Sequence, residues 1–557
     1  MMKRPPSPRA MLSGLPLVAA LALAFPAAAQ QAPDAGRILQ EAVPTVPTLP
    51  RPASGVSVEP PAADAAAAGG PTVMLKAVRF TGNTVFGDAE LAAVLGNVAG
   101  ESFDLAGLRR LAGRISAHYR AQGYPFARAI IPAQPLADGL LEIRIVEGRY
   151  GRVAAQGELA EPAQPFLADL RSGGLIEASS LERAMLILSD QPGVKIDARL
   201  RPGQDVGTGD LLVEVSRDRL LKGELSLDNH GNRFTGQMRA KANLQADSPF
   251  MLGDQFLGRL LYTDEGLWLG SLGYSLPLGA SGLRGSLGYS RTDYQLGKDF
   301  ANLQAHGTAD VASLGLSYPI IRSQMANLAV GVSWQHKALE DRQDATDTRN
   351  TKSSWTLPIV LQFDRRDGGG ITYGALGYTV GRLSLDATLE AADIASNTNT
   401  RGRFDKWNLD LARVQTTPIA KLRLFGRLSA QWAGKNLDSS ESFILGGAGA
   451  VRAYPQGEGA GDEGHFLQLE ARYRVGAAEP FVFYDAGRVR IHADAGRIVP
   501  PVANNSRSRA GAGLGLRYKQ GPLALEAAAA WRTHGGAPES DSVDRRPRLW
   551  LTAGYEF

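Results

Sequence analysis

The sequence predicts a transmembrane β-barrel of about 16 antiparallel strands that follows two periplasmic α+β repeats and a short N-terminal helix. Three observations predict this fold. The N-terminus has the pattern of a secretory signal peptide, residues 73–217 repeat one order of strands and helices, and the chain from residue 218 onward alternates apolar and polar residues between glycine-rich turns. No later stretch offers the roughly 20 consecutive apolar residues of a membrane-spanning helix, which excludes a helical membrane protein.

The first 29 residues predict a signal peptide. Lys3 and Arg4 precede an apolar run from Leu12 to Phe25, and the small residues Ala27 to Ala29 follow it. A buried helix would show the apolar run, but not the basic start together with the small-residue end. We therefore expect cleavage after residue 29 and export from the cytoplasm.

The composition excludes several kinds of site. The 557 residues include no cysteine, which rules out disulfides and thiolate metal sites. The seven histidines are scattered, without a metal-ligand spacing on one element, so neither a metal site nor a cofactor is predicted. The formal charge of +4 comes from interspersed basic and acidic residues and does not indicate nucleic-acid binding.

Residues 30–72 predict a short helix on a flexible tether. The segment from Asp34 to Ala42 places Ile38 and Leu39 on one helical side. The following residues, up to Gly70, are rich in proline, alanine and glycine and cannot pack a core. We expect a tethered helix that is free to move.

Residues 73–148 and 149–217 predict two copies of one α+β unit, each with the order strand, helix, helix, strand, strand. In the first copy, Asp104 is the candidate N-cap of an amphipathic helix, and Gly123 ends that helix. Both copies lie within the size range of small domains.

The second copy contains a predicted capping box and an alternating strand. Ser179 and Glu182 have capping-box spacing before an apolar helical pattern. Further along, charged residues alternate with the apolar residues Val194, Ile196, Ala198 and Leu200.

The region 218–557 alternates in a way that suits lipid on one strand face and water on the other. The clearest strand sets apolar residues against basic and polar ones, the apolar set being Leu422, Leu424, Leu428, Ala430 and Trp432. Short connections interleave with long polar ones, such as 340–352 and 436–464, as periplasmic turns and outer loops do. A β-propeller or a tandem sandwich would not predict this asymmetry together with a final strand that ends in Tyr555 and Phe557.

The order of two repeats and a barrel resembles the two-partner secretion transporters, the TpsB family. The repeats would be POTRA domains and the helix near Ile38 would match the family's plug helix. Val451, Arg452, Ala453 and Tyr454 resemble the family's Val-Arg-Gly-Tyr loop tip, with alanine in place of glycine. If the family backbone needs a positive φ at that position, Ala453 would be strained.

A second motif matches the inner barrel wall of the family, and its residues are Phe483, Asp485 and Gly487. Alternation supports this independently, because Val482 and Tyr484 share the apolar face and therefore place Asp485 in the lumen. We expect Arg452 and Asp485 to form an internal ion pair that holds the loop.

The resemblance implies passive export of an unfolded, β-helical, TpsA-like exoprotein through the barrel. The chain would lie in the outer membrane of a Gram-negative bacterium, contact its lipid, insert through the barrel assembly machinery by its Tyr555–Phe557 end, and act as a monomer. Partner recognition is expected on the second repeat, by β-augmentation along the strand of Val194 to Leu200.

Three other functions are weaker alternatives. An assembly factor of the same superfamily usually carries more repeats and lacks a plug helix. An outer-membrane enzyme would need a convergent site, but Asp228 near His230 has no serine elbow, and the glycines from Gly446 to Gly449 lack the Lys-Ser/Thr of a phosphate loop. A diffusion porin would not need the repeats. The prediction is therefore a transporter and not an enzyme.

Overall fold

The computed structural model describes residues 32–42, 69–136 and 138–557. The predicted signal peptide (1–29) and most of the predicted tether lie outside the described residues. The predicted N-terminal helix is present as α1 (Ala35–Ala42). Asp34 caps it, because its carboxylate accepts a hydrogen bond from the backbone N–H of Arg37 at 3.0 Å.

The first repeat is a small three-stranded sheet covered by two helices. Its elements are β1 (Val73–Met74), β2 (Ala77–Thr81), α2 (Asp88–Leu95), β3 (Ser102–Phe103), α3 (Leu105–Ala121), β4 (Arg128–Ile130) and β5 (Leu140–Val146). The sheet order is β2-β5-β4. The Asp104 side chain caps α3 by accepting from the backbone N–H of Gly107 at 2.7 Å, and Gly123 follows the helix with a φ of 92°. The apolar face of α3 packs on β5, with Ile115, Leu141 and Ile143 fully buried.

The second repeat keeps the order strand, helix, helix, strand, strand, without counterparts of β1 and β3 in its described residues. Its elements are β6 (Arg149–Gln156), α4 (Ala160–Ala163), a 3-10 turn (Gln164–Leu167), α5 (Ala178–Ser189), β7 (Val194–Pro202) and β8 (Thr208–Arg217). The sheet order is β6-β8-β7, so β7 is an edge strand. The predicted capping box is wrong: the N-cap of α5 is Glu177, without a side-chain cap, and Ser179 lies inside the first turn. Glu182 instead accepts a hydrogen bond from the backbone N–H of Gln324 in the barrel, at 2.8 Å.

Sixteen strands close into one antiparallel barrel, which confirms the predicted fold class. The strands and the elements between them are β9 (Leu221–Asp228), β10 (Arg239–Asp247), β11 (Gln255–Thr263), β12 (Trp268–Pro277), β13 (Arg284–Gln295), β14 (Ala305–Arg322), β15 (Ala326–Gln343), β16 (Thr348–Asp367), β17 (Gly370–Leu385), α6 (Ala387–Ser396), β18 (Gly402–Thr416), β19 (Leu422–Ala433), β20 (Phe443–Ile444), β21 (Ala460–Gly461), β22 (Glu463–Tyr473), β23 (Ala478–Arg490), β24 (Ser506–Gln520), β25 (Leu523–His534) and β26 (Arg548–Glu556). β20 and β21 pair with each other inside the long loop 434–462, and β26 pairs with β9 to close the barrel.

The two faces of each strand meet different surroundings. On β26, Leu549, Leu551 and Tyr555 point outward and are about half exposed, as residues on the lipid-facing surface are. Trp550 points inward and is 5% exposed. Trp550 is thus an apolar residue on the lumen face of the strand, and its indole nitrogen donates to the carbonyl of Arg452.

One predicted outer loop is mostly strand. The residues 340–352 were predicted as a long polar connection, but β15 continues to Gln343 and β16 begins at Thr348, with the two residues paired in register. β15 has 18 residues and β16 has 20, whereas roughly 9–11 residues suffice to cross a bilayer. These residues are polar because the hairpin projects beyond the membrane while remaining hydrogen-bonded.

The second repeat contacts the periplasmic turns of the barrel through polar groups. Arg322, at the end of β14, donates to both carboxylate oxygens of Asp190 at 2.6 and 2.7 Å. Arg284 donates to the side chain of Gln191 at 3.0 Å. The loop after α5 is thus attached to the barrel by charge-assisted hydrogen bonds.

Candidate functional site in the barrel lumen

Loop 434–462 folds into the barrel and carries Arg452 to the inner wall. Arg452 Nε and Nη2 donate to the two carboxylate oxygens of Asp485 on β23, at 2.8 and 2.7 Å. The backbone N–H of Arg452 donates to the same carboxylate at 3.1 Å. Arg452 is 5% exposed and Asp485 is 0% exposed. The structure therefore brings the two predicted motifs together in a buried bidentate pair.

Glu470, on β22, is a second acidic partner of Arg452 that the sequence interpretation missed. Arg452 Nη1 donates to Glu470 at 2.5 Å, and Glu470 also accepts from Arg472 at 2.7 Å and Arg517 at 3.1 Å. The Arg452 guanidinium lies over the ring of Phe483, 3.6 Å from its centroid. Strand alternation does place Glu470 in the lumen, but nothing in the spacing links it to a loop residue. The guanidinium is thus held by two carboxylates and one ring.

The residues next to Arg452 in the loop pack against the barrel wall around it. Val451 and Tyr454 are both 0% exposed. The Tyr454 hydroxyl donates to the carbonyl of His534 at 2.7 Å, and Trp550 Nε1 donates to the carbonyl of Arg452 at 2.7 Å. The predicted loop tip is therefore bonded to the last two strands of the barrel as well as to β23.

Ala453 causes no backbone strain, because it is not among the residues with a positive φ. Its methyl group lies against Gly511 on β24, where an added Cβ would be 2.2 Å from the Ala453 Cβ. Gly487 has the same role for another part of the loop: a Cβ there would be 2.5 Å from Leu445 Cδ1. Glycines on the wall thus make the room that the loop occupies.

Glu458 anchors the same loop at a second point, which no sequence pattern had indicated. Its carboxylate is 0% exposed and accepts from Arg509 Nε and Nη2 at 3.0 and 2.8 Å. It also accepts from the backbone N–H and the hydroxyl of Ser540 at 2.8 and 2.7 Å. The outer loop after β25 is therefore bonded to the loop inside the lumen.

Helix α1 lies against the same loop and against the lumen wall near β15 and β16. Ile38 is 1% exposed and Leu39 is 8% exposed, so both predicted plug residues are buried. Lys352, on β16, donates to Asp34 at 2.7 Å and to Asp438 of loop 434–462 at 2.8 Å. One buried lysine therefore holds both elements that fill the lumen.

Further contacts join α1 to the wall and the loop. The backbone N–H of Ala35 donates to Asp341 on β15 at 2.8 Å, and the carboxylate of Glu41 accepts from Asn232 at 3.0 Å. Gly36 lies so close to the loop that a Cβ would be 2.6 Å from the backbone nitrogen of Ser440. Polar contacts therefore join α1 both to the barrel wall and to the loop.

The expected recognition strand presents its edge and not its apolar side chains. Val194 and Ala198 are buried in the core of the second repeat, and Ile196 and Leu200 pack against that core. Alternation turns these four side chains toward the core, so β-augmentation would use the backbone edge of the strand. The outward residues of β7 are the charged ones between them.

The C-terminal residues close the barrel. The backbone N–H of Phe557 donates to the carbonyl of Gly223 at 2.9 Å, and the reverse bond is 3.0 Å long. The Phe557 ring covers Gly223, where a Cβ would be 2.2 Å from the ring. Tyr555 and Phe557 are 49% and 51% exposed on the lipid-facing side.

The described part of the chain contains neither a membrane-spanning helix nor a cluster of metal-ligating side chains. No helix in it is long and apolar enough to cross a membrane. Within the same residues, no group of three or more histidine, aspartate or glutamate side chains is placed to hold a metal ion.

A closed barrel with two periplasmic repeats and an occupied polar lumen defines an outer-membrane transporter. The family model of the haemolysin secretion/activation protein ShlB/FhaC/HecB matches residues 207–518, and that of the ShlB-type POTRA domain matches residues 73–148. The chain belongs to the ShlB/FhaC/HecB family of two-partner secretion transporters.

Individual relatives agree with this assignment. The heme/hemopexin transporter protein HuxB of Haemophilus influenzae is 28% identical over 77% of this chain and 78% of its own length. The outer membrane transporter CdiB of Dickeya dadantii is 23% identical over 73% of each chain. The structure of CdiB from Escherichia coli has the same fold, with a TM-score of 0.71, 19% identity, and coverage of 91% of this chain and 94% of that one. The chain is therefore an outer-membrane transporter of exoproteins, with its POTRA region in the periplasm.

Proposed function

We propose that this transporter exports one large, unfolded, β-rich exoprotein, and that α1 leaves the lumen to let it pass. The observation that carries this proposal is the contact set of Lys352, which binds Asp34 of α1 and Asp438 of loop 434–462 at once. Both elements occupy the lumen and neither is part of the barrel wall. The exoprotein requires that space, so at least α1 has to be displaced.

A reversible cross-link tests whether α1 must move. The side-chain oxygens of Asp34 and Ser439 lie 2.6 Å apart, and the chain has no cysteine of its own. Cysteines at these two positions can be joined by a disulfide or by a short, cleavable thiol cross-linker. We expect secretion of the partner exoprotein to stop in the joined variant and to return after reduction.

The two single-cysteine variants are the matched controls, because they lose the same polar groups without being joined. Deletion of residues 34–42 should also raise ion conductance in planar bilayers. Secretion at the wild-type rate by the joined variant would refute the movement of α1.

The periplasmic recognition site is proposed to be the free edge of β7. The sheet order β6-β8-β7 leaves one side of β7 without a neighbouring strand among the described residues. An extended segment of the exoprotein can add to this edge through backbone hydrogen bonds. The outward charges Lys195, Asp197 and Arg199 would then contact the added strand.

Export is favoured over assembly of other barrels by the lumen itself. An assembly factor inserts its client proteins into the membrane. It does not need a path through the lumen that a removable helix closes. Here α1 and loop 434–462 are bonded to wall residues over several strands. A large exoprotein that accumulates outside the cell only when this chain is present would establish export.

The C-terminal strand is proposed to be the signal that the barrel assembly machinery reads, and the finished barrel is proposed to act as a monomer. Each chain closes its own lumen, and Phe557 bonds to Gly223 at the seam. Replacing Phe557 by alanine should lower the amount of heat-modifiable barrel in outer membranes, because it removes the ring that covers the seam. Unchanged barrel levels would contradict this role.

A further inference from the structure

We propose that Arg382 and Arg403, on the outward face of the barrel, bind the phosphate groups of an anionic lipid in the outer leaflet. The two residues stand directly opposite each other on β17 and β18. Both are exposed, and their strand neighbours Leu383 and Phe404 point into the lumen and are buried. The arginines therefore face the membrane side and not the secretion path.

The pair is electrostatically unbalanced. Cβ atoms of directly opposed residues lie about 4.5–5.5 Å apart, and like charges in this position are destabilising. Within the described residues, no carboxylate lies within the 4.0 Å of an ion pair for either Arg382 or Arg403. Two adjacent guanidinium groups without an acid form a site that an external anion would stabilise.

The position along the strands corresponds to lipid headgroups. Tyr378 and Trp407 pair on the same outward face, with ring centroids 4.6 Å apart, and Trp432 stands opposite Trp407 on the next strand. Such aromatic residues mark the interface of the apolar band. The two arginines lie four residues further toward the outer ends of their strands. At about 3.3 Å per residue this is roughly 13 Å along a tilted strand, which places the guanidinium groups outside the band.

A second arginine pair provides an internal comparison. Arg342 and Arg349 are directly opposed on β15 and β16 and also point outward. Both contact Glu340, which accepts from Arg349 Nη2 at 3.0 Å and from Arg342 Nε. This pair has its own counter-ion, whereas the pair on β17 and β18 has none.

Phosphate is the anion that fits two guanidinium groups at this depth. Each guanidinium can donate two parallel hydrogen bonds to a phosphate. The acyl chains of a phosphorylated outer-leaflet lipid, such as lipid A, would lie on the apolar wall and the rings of Tyr378 and Trp407 below. A free phosphate would use the arginines but not this wall.

The test measures binding of bisphosphorylated lipid A to the full-length transporter in detergent by native mass spectrometry. We expect the double variant R382Q/R403Q to bind at least about tenfold more weakly, the change that loss of one charge-assisted hydrogen bond produces. The matched control R342Q/R349Q should bind like the wild type. Heat modifiability shows that both variants are folded.

Two further probes identify the source of the anion. Lipid A without its phosphates should bind the wild type as weakly as it binds R382Q/R403Q, and inorganic phosphate at the same concentration should not compete. An equal loss in both double variants, wild-type affinity in R382Q/R403Q, or full competition by inorganic phosphate would overturn the proposal.

Discussion

At the residue scale, Arg452 attaches loop 434–462 to the inner wall of a polar lumen. Its guanidinium is buried, so its charge has been removed from water and must be compensated by close partners. Asp485 and Glu470 supply two carboxylates, and Phe483 supplies a ring face. The same burial makes the loss of any one partner costly, because the others keep an uncompensated charge.

Replacing Arg452 by alanine should loosen loop 434–462 and lower secretion. Breaking a buried pair by removing one member costs roughly 3–5 kcal/mol, reduced here by water in the lumen. Arg401 is the matched control, because its side chain is 55% exposed and pairs only at the surface with Glu390, where about 0–1 kcal/mol is expected. Secretion and heat-modifiable barrel are measured for both variants. Equal secretion by the Arg452 and Arg401 variants would show that Arg452 is not needed for secretion.

Exchanging the charges between positions 452 and 485 should restore only little secretion of the exoprotein. In R452D/D485R the new aspartate would face Glu470, whose carboxylate is only 2.5 Å from Arg452 in the wild type. Adding E470Q removes this repulsion, so the triple variant should secrete more exoprotein than the double variant. If the double variant already secretes at the wild-type level, Glu470 does not contribute to the site.

The contact between Ala453 and Gly511 predicts a pair of compensating changes. Replacing Gly511 by alanine brings two methyl groups to about the 2.2 Å separation of their Cβ atoms, which the packed loop cannot accommodate. We expect a lower thermal stability and lower secretion in G511A, and partial recovery of both in G511A/A453G. The single change A453G is the control and should be close to neutral. If the double variant recovers neither stability nor secretion, the effect of G511A does not come from its contact with Ala453.

At the scale of single elements, one buried carboxylate organises the first POTRA domain. Glu147 follows β5 and is 5% exposed. It accepts from the backbone N–H groups of Thr84 and Val85 at 2.5 and 2.8 Å, and from the hydroxyl of Tyr119 at 3.2 Å. It thereby connects the segment after β2 with α3.

This carboxylate makes the domain sensitive to acid. Burial alone would raise the pKa of Glu147, but the hydrogen bonds from Thr84, Val85 and Tyr119 outweigh burial and lower the pKa below its ordinary value of 4.5. A group with a lowered pKa contributes stability that is present above the ordinary value and is lost as the pH falls through the folded-state value. We therefore expect α3 to lose protection only below about pH 4.5.

Pulsed hydrogen exchange on the full-length chain, after equilibration at each pH, measures this loss. The variant E147Q should be less stable by about 1.5–3 kcal/mol at neutral pH, because it replaces hydrogen bonds to a charged acceptor. Its protection should also depend less on pH. The same acid dependence in E147Q as in the wild type would assign the effect to another group.

At the scale of the whole molecule, the barrel and the second POTRA domain are joined at the periplasmic turns of the barrel. The barrel closes through its own strand pairs, and the apolar cluster of the domain includes Leu252 and Ala280 from two turns of the barrel. The contact between them also includes ion pairs such as Arg322 with Asp190, whose side chain is 46% exposed. The barrel therefore does not depend on the domain for its hydrogen bonds.

Deleting residues 150–215 should leave a heat-modifiable barrel in the membrane and stop secretion of the exoprotein. Recognition of the exoprotein is proposed to occur on this domain, whereas the barrel closes through its own strands. The control D190A removes only the acid that Arg322 binds and should reduce secretion by much less. Wild-type secretion by the deletion variant would contradict recognition by the second domain.

The sequence by itself determined the barrel, the two repeats and the residues at the loop tip. Period-two alternation decides which face of a strand meets lipid, so the sequence alone assigns Asp485 and Glu470 to the lumen. The resemblance to a family then indicated that Arg452 would meet Asp485. Helix signals were reliable where the side chain bonds locally, as Asp104 does, and failed for Ser179 and Glu182.

Only the tertiary structure decided which lumen residues meet. Glu470, Glu458 and Lys352 are bonded to partners on other strands or loops, and no spacing along the chain encodes such contacts. The same holds for Glu182, which bonds to the barrel because α5 docks there. Local sequence determines periodicity and capping, because these depend on neighbours within a few residues. The closing of sixteen strands and the folding of a loop into them bring together residues that are far apart in the chain, and that geometry exists only in the assembled barrel.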